Sequence, residues 1–433
     1  MAPIKQVRVA RSTQNGGLKG EASISDRRRQ PLTRHLLKFL PAKLRFAIMR
    51  SHLKISPELD SRFAFRIART KEELSEAYRI LHDSYLDLGY AKPHVSGMRI
   101  VKYFALPSTT TLIALFDNKV VGTVSIVRRG AFGLPMESAF DLSEFIDRNE
   151  VIAEVSSLAI DSKFRQKRGA LFLPLLKFFW EYVEQFMNLD SIVITVNPAM
   201  TDFYEGFLSF KRLRHAQVDD YGFANGNPGV GLYLNVREAP QLFKALYGHK
   251  PADKNLFRYF VDLTLPHFEL PHRRFYKSSD PVMTPEMLEH FFVNKSDVFS
   301  ELTQNERLGL AATYPLKDYR KILPTSSIET LRQDIRYAVN LQGVAASHQE
   351  LNLTILDVTR QGLCVASAVE LNGIILIRIK VAGDRIAEVR GEVRWEDKGR
   401  KIYGIQLLKT DSHWGDFVGY LRNDFHTLTK KVG

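Results

Sequence analysis

The spacing of apolar positions changes several times along the chain, and each change marks an element. Between residues 32 and 53, Leu36, Leu37, Leu40, Leu44, Ile48 and Leu53 recur at helical spacing. Arg34, Lys38, Lys43, Arg45 and Arg50 lie between them. This predicts a basic amphipathic helix, kinked or split at Pro41. Such a helix packs on the next domain or lies on an anionic membrane. From Phe63 the pattern becomes that of a mixed domain. Phe65–Ala68 predicts a strand, and Thr70 with Glu73 forms a capping box for a helix running to about Leu88 and stopping at Gly89. Thr109–Leu115 and Val120–Val127 predict a hairpin turned by Asp117-Asn118. Strands at Val151–Ile160, Ser191–Val196 and Gly231–Val236 alternate with helices at Leu171–Met187 and Thr201–Phe207. Residues 237–325 predict helices and loops punctuated by prolines. From Arg332 onward short strands return, at Leu353–Ile355, Gly373–Val381, Ile386–Trp395 and Lys401–Leu408.

The fold class expected is α+β: a mixed, largely antiparallel sheet flanked by helices, then a helical linker and a small all-β barrel. Four segments follow: a basic arm with its helix (1–62), a catalytic domain (63–240), a helical extension and linker (241–327) and a barrel domain (328–428). The length of 433 residues suits that division. Charge sharpens the picture in one place. The net charge is +13, yet residues 1–60 hold 13 Lys/Arg against 4 Asp/Glu. The basic character therefore belongs mainly to the arm, and neither DNA nor RNA is an expected partner. The single cysteine, Cys364, sits in an apolar run and reads as a buried structural thiol. With no signal-like segment, no apolar run long enough to span a membrane and no internal disulfide, a cytoplasmic protein is expected, with peripheral contact at the inner membrane face open through residues 32–53. No His/Cys/Asp set has metal-ligand spacing.

The chemistry concentrates after the Val151–Ile160 strand. There Phe164-Arg-Gln-Lys-Arg-Gly-Ala170 forms a basic loop before a helix, a natural anion site. Downstream, Val196-Asn197-Pro198 ends a strand and Phe203-Tyr204 follows on a short helix. This stretch resembles the GNAT superfamily of acyltransferases, whose Arg/Gln-x-x-Gly-x-Gly/Ala loop receives the phosphopantetheine arm. Arg165, Gly169 and Ala170 fall within that pattern, while Arg168 stands where its first glycine is expected. A narrower set occurs in order: Ala77-Tyr78, His82-Asp83-Ser84-Tyr85, Gly89-Tyr90, Gly133-Leu134-Pro135-Met136, Ala153-Glu154-Val155, Leu158-Ala159, Asn197-Pro198, Phe203-Tyr204 and Asn225-Gly226 with Pro228. It resembles the FeeM-type N-acyl amino acid synthases, themselves similar to acyl-homoserine-lactone synthases.

The resemblance implies a fatty acyl group carried as a phosphopantetheine thioester on acyl carrier protein and moved to the amine of an amino acid, with no tightly bound cofactor. An ammonium must lose a proton before attack, and Glu154 is the candidate base. Backbone N–H groups near Leu158 and Ile160 are candidate oxyanion donors. Tyr204 is a candidate proton donor to the thiolate. Arg165, Arg168, Gly169, Ala170 and Asn197 are expected at the donor. Lys163, Arg165, Lys167 and Arg168 would dock the acidic carrier protein. A His82–Asp83 dyad is discounted because adjacent helical residues do not face each other. Asn225–Gly231 precedes a strand instead of opening a helix, so it reads as a turn and not as a dinucleotide loop.

In the last segment, Arg332-Gln-Asp-Ile-Arg336 precedes strands, and Asp357-Val-Thr-Arg-Gln-Gly362 ends one. These match Arg-x-x-x-Arg and Asp/Asn-x-Ser/Thr-x-x-Gly, and the segment resembles a PilZ domain. The resemblance implies cyclic di-GMP as effector, held by Arg332, Arg336, Asp357, Thr359 and Gly362. Arginines suit a compact dianion with guanine edges, since guanidinium pairs bidentately with phosphate and with O6/N7. The leading expectation is an N-acyl amino acid synthase regulated by cyclic di-GMP. The alternatives are a non-enzymatic effector on a degenerate acyltransferase scaffold, or an acyltransferase that modifies proteins or forms a lactone.

Overall fold

The computed structural model describes residues 40–56, 58–130, 132–165, 171–277, 283–314, 319, 321–323, 336–346, 350–398 and 401–430. The chain divides into two compact units, Met1–Ala47 and Ile48–Gly433. Helix α1, Ala42–Ser51, starts immediately after Pro41, whose carbonyl accepts from the Leu44 and Arg45 amides. Pro41 thus begins a helix, a position where its missing N–H costs nothing. The expected helical residues 32–39 lie outside the described residues. Among the described residues, no helix is long and apolar enough to cross a membrane.

In the larger unit, β1 (Phe63–Ile67) leads to helix α2 (Lys71–Asp87). The capping box forms as read: the Glu73 amide donates to Thr70 Oγ1, and the Thr70 amide donates to the Glu73 carboxylate. Strands β2 (Thr109–Phe116) and β3 (Lys119–Arg128) make the hairpin, with Asp117 and Asn118 both left-handed at φ 48° and 60°. That pairing of signs is the type I′ turn a two-residue connection demands. Then follow β4 (Ile152–Ile160), α3 (Phe172–Phe186), β5 (Ser191–Val196), α4 (Thr201–Leu208), β6 (Lys211–Tyr221) and β7 (Asn227–Asn235). The seven strands run in the order β1-β2-β3-β4-β5-β7-β6, antiparallel except for β4 and β5. Alternate residues of β2 face two different cores. Leu112 and Ala114 meet α3, while Ile113 and Leu115 meet α2. Both faces are covered, so the strands read as continuous apolar runs.

Strand β6 was not expected. Its sequence, KRLRHAQVDDY, is polar because it is an edge strand, and only Leu213 and Tyr221 are buried. The Asn225–Gly231 stretch is a turn only at Asn225 and Gly226, and its remainder is strand.

Residues beyond the sheet distribute among three cores. Helix α5 (Ala239–Tyr247) and a π-helical turn at Arg258–Asp262 pack against α3. Leu288, Phe291 and Phe292, followed by helix α6 (Gln304–Thr313), pack against α2. Phe275 enters the core of the last architectural element, a closed barrel.

The barrel comprises β8 (Tyr337–Ala346), β9 (Glu350–Val358), β10 (Gly362–Ala366), β11 (Ile374–Lys380), β12 (Ile386–Asp397) and β13 (Ile402–Thr410). They close in the order β10-β13-β12-β11-β8-β9. Helix α7 (Ser412–Lys430) contributes Trp414, Phe417 and Leu421 to its interior. Cys364 is buried within it, as expected. The barrel docks on the approach to β4. Gln342 Nε2 donates to both oxygens of Asp190, at 2.7 and 2.8 Å, and the same carboxylate accepts from the Val151 amide at 2.8 Å. Thr354 Oγ1 donates to the Asn149 carbonyl, and the Ala368 amide donates to Asn149 Oδ1.

Candidate functional site

Strands β4 and β5 are paired only from Ile152–Ser191 to Glu154–Val193. Beyond that point they diverge, and the cause lies in β4. Where β3 and β4 pair, Thr123 faces Ala159 but Ser125 faces Ser156, so β4 carries an extra residue. Ser157 there takes φ 58°. This β-bulge bends the strand away from its neighbour. The gap opens into a cavity of about 750 Å³ that runs from Leu88 and Met200 at the surface to buried Trp180, Phe243 and Phe260. Its walls are overwhelmingly apolar, and the polar groups gather where the strands part.

Glu154 sits at that parting point, on the last residue paired with β5 and only 2% exposed. One carboxylate oxygen accepts from the Met136 amide at 2.8 Å. Burial pushes its pKa up from 4.5 to about 8. The Met136 hydrogen bond opposes the rise, and the nearby Glu137 charge adds to it. The Met136 amide is delivered by the turn at Gly133-Leu134-Pro135. Gly133 adopts φ +67°, and a Cβ there would meet Glu137 Oε2 at 2.6 Å. The left-handed backbone calls for glycine, while the Glu137 carboxylate, at the end of a flexible side chain, could shift aside.

Three tyrosines surround the carboxyl. Tyr85, Tyr103 and Tyr221 are each raised by burial and further by the Glu154 charge. Arg99 lies over the Tyr85 and Phe223 rings at 4.7 and 5.1 Å and donates to the Phe223 carbonyl at 2.6 Å. Burial lowers its pKa. Sequence reasoning assigned none of these four a role. Only Tyr85 carried a signal, as part of the quoted His82–Tyr85 stretch.

The other expected residues divide. Tyr204 lines the cavity between Phe203 and Phe210, and burial pushes its phenol up to about 12. Leu158 and Ile160 lie on the divergent length of β4 and line the cavity. Asn197 lines it too, but both ends of its amide are occupied. Its Oδ1 caps the Ala199 amide at 2.8 Å, and its Nδ2 donates to the Tyr90 hydroxyl at 2.7 Å. Arg165 reaches the cavity wall while tying α2 to β4. Its guanidinium donates to the Ile160 carbonyl, the Asp87 carboxylate and Ser84 Oγ. Lys163 is exposed, and Lys167, Arg168, Gly169 and Ala170 lie outside the described residues. His82 Nδ1 does reach Asp83 Oδ1, at 3.3 Å, so the steric ground for discounting that pair fails. His82 Nε2, however, accepts from the His94 amide, and neither residue lines the cavity. Among the described residues, no group of His, Cys, Asp and Glu could hold a metal ion.

These features, a bulged and splayed pair of strands with a buried carboxyl at their fork, form a cleft that can take an acyl chain and an amine together. Residues 76–235 match the family model N-acyl amino acid synthase FeeM. Among solved structures, FeeM, an N-acyl amino acid synthase from uncultured soil microbes, is similar at 26% identity. That alignment covers 42% of this chain and 94% of that one, with a TM-score of 0.35. The AHL synthase LasI is similar at 20% identity over 44% of this chain and 96% of its own, with a TM-score of 0.34. The CoA-dependent acyl-homoserine lactone synthase BjaI is similar at 12% identity over 49% and 95%, with a TM-score of 0.34. The comparison with curated proteins returns no match. The FeeM match supports an N-acyltransferase domain in this part of the chain.

At the barrel, Arg336 immediately precedes β8, and its Nη1 meets both Asp357 oxygens at 3.0 and 3.2 Å. The Thr359 amide donates to the Gly362 carbonyl, and Thr359 Oγ1 accepts from the Gln361 amide, closing the β9–β10 turn. Gly362 does not take a left-handed φ. A Cβ there would come within 3.3 Å of the Ile405 carbonyl and Thr359 Oγ1, so the backbone packs closely at this turn. Arg332 lies outside the described residues.

Proposed function

We propose that the domain moves a fatty acyl group from an acyl carrier protein thioester to the amine of an amino acid, under control of cyclic di-GMP bound by the barrel. The observation that carries the catalytic half is Glu154, buried at the fork of β4 and β5 with a pKa of about 8 at the head of a long apolar cavity. A carboxylate of that basicity is matched to an ammonium far better than an ordinary one. Glu154 accepts one proton from the acceptor, and the freed nitrogen attacks the thioester carbonyl. The oxyanion forms beside the unpaired stretch of β4, where Leu158 and Ile160 supply N–H donors. When the C–S bond breaks, Tyr204 meets the departing sulfur. Its phenol at about 12 is far weaker as an acid than a thiol near 8.5, so it stabilises the thiolate as a hydrogen-bond donor. The nitrogen's second proton completes the thiol. Arg99, cushioned on two aromatic rings, offers a guanidinium to the acceptor's carboxylate.

The donor reading rests on Arg168 replacing a glycine of the pyrophosphate loop and on the exposed Lys163. Comparable turnover with acyl-coenzyme A and acyl carrier protein refutes it. For the barrel, the Arg336–Asp357 pair presents a preformed guanidinium and carboxylate. The barrel's hydrogen bonds reach Asn149, five residues before Glu154, and Asp190, whose carboxylate also holds the Val151 amide three residues before Glu154. A dinucleotide with different affinity for two dockings of the barrel shifts that strand. The test is product mass spectrometry with purified enzyme, amino acids and acyl carrier protein, with and without cyclic di-GMP. Formation of N-acyl amino acid that changes with the dinucleotide supports the reading. Arg336→Ala that abolishes dinucleotide binding while leaving regulated turnover intact refutes the coupling.

A further inference from the structure

The deep end of the cavity is closed by side chains from outside the matched stretch 76–235. Phe243 comes from α5 and Phe260 from the π-helical turn Arg258–Asp262. The two rings stack at 5.7 Å with an interplanar angle of 16°, and Trp180 of α3 meets Phe243 edge-on at 6.4 Å. Phe243 and Phe260 are 3% and 5% exposed, against 57% at Leu88 and 45% at Met200, so the pair closes a buried part of the cavity away from its open rim.

Both rings are held in place. The Tyr247 hydroxyl, at the end of α5, donates to the Phe207 carbonyl at 2.8 Å. The fully buried Lys177 donates to the Phe260 carbonyl at 3.3 Å while its ammonium pairs with Glu181 at 2.8 Å. The Leu263 amide reaches back five residues to the Arg258 carbonyl, which makes the turn π-helical. Burying a lysine is costly unless it is paired and hydrogen-bonded. Here that arrangement fixes the backbone of the residue whose ring ends the cavity, and π turns gather at functional sites.

We infer that Phe243 and Phe260 form the floor of the acyl pocket and set the longest acyl chain the protein accepts. This rests on the reading of the cavity as an acyl-chain site. An apolar chain entering past Glu154 gains affinity with each methylene buried until its end meets the stacked rings. Beyond that length it must leave carbon in water or displace a packed aromatic pair.

The experiment uses the full chain and saturated fatty acids graded from octanoate to stearate, displacing a fluorescent fatty-acid probe. In the unsubstituted protein, affinity rises roughly fourfold per added carbon, the equivalent of about 0.8 kcal/mol per buried CH₂, and then breaks. Phe243→Ala and Phe260→Ala each move the break to longer chains. Phe292→Ala, in a different core, leaves it in place. Phe243→Leu and Phe260→Leu give the same direction with less disturbance should the alanine variants fail to fold. A break that stays put in folded variants overturns the floor assignment alone. No fatty-acid binding to the unsubstituted protein overturns the acyl-site reading beneath it.

Discussion

Replacing Glu154 by glutamine separates the carboxyl's proposed role as a base from the cost of burying it. The amide keeps the shape and an oxygen to accept from the Met136 amide, now at 2.8 Å, but it cannot take a proton. In the fold the carboxyl titrates at about 8 instead of 4.5. At about 1.4 kcal/mol per decade, ionising it in place costs the fold roughly 5 kcal/mol. The sign follows from proton counting. Between 4.5 and about 8 the folded protein binds a proton the unfolded chain lacks. The stabilisation is therefore full below 4.5 and is lost as pH rises through that window to about 8. Glu154→Gln should leave the melting temperature little changed below pH 5 and raise it at about pH 9, where the wild type buries a charge. Turnover should fall by about 10²–10⁴-fold, as expected for loss of a general base. The wild-type kcat/KM should rise with a midpoint near 8, and that limb should vanish in the variant, leaving only the limb of the acceptor's own amine. Melting curves and pH–rate profiles check both halves. Retained turnover with an unchanged limb refutes Glu154 as base. A stability difference independent of pH refutes the buried-carboxyl argument.

Tyr204→Phe removes a hydrogen bond to a departing thiolate, so kcat should fall about ten- to a hundredfold with KM for the donor nearly unchanged, read by steady-state kinetics. Gly133→Ala forces a Cβ against Glu137 at a left-handed position; a loss of about 1–2 kcal/mol in denaturant unfolding is expected, with reduced activity because the Met136 amide is displaced from Glu154. Arg99→Gln should raise KM for an amino acid but not for the amine lacking its carboxylate, measured on matched acceptor pairs. Gln342→Ala removes the barrel's bonds to Asp190, and cyclic di-GMP should then bind with unchanged affinity in calorimetry while losing its effect on turnover.

How much of this was legible in the sequence depends on how local its physics is. The capping box at Thr70 and the Asp117-Asn118 hairpin were legible because their signals lie within four residues and their geometry needs no partner. Strand β6 was not, because an edge strand takes its polarity from solvent and its identity from β7. The site shows the same division. Glu154 was legible from a charged residue in an apolar strand, and Tyr204 from its motif. The bulge at Ser157 that opens the cleft has no local signature, since it exists only against β3. Tyr103 and Tyr221 approach Glu154, and Arg99 the neighbouring Tyr85 ring, from elements far apart in sequence, and nothing in their own neighbourhoods announces it.

The stretch after the sheet is the sharpest case. Read by periodicity, residues 241–327 are a helical extension and linker, yet α5 and the π turn supply part of the cavity wall, and Phe275 supplies part of the barrel core. A π turn weakens the 3.6-residue period that would have revealed it, and a buried lysine inside α3 reads as an ordinary amphipathic interruption until its partner Glu181 and the Phe260 carbonyl are seen beside it. Motif residues thus mark the proposed reacting centre, whereas the proposed floor for an acyl chain is written in unremarkable phenylalanines whose significance depends wholly on what they close.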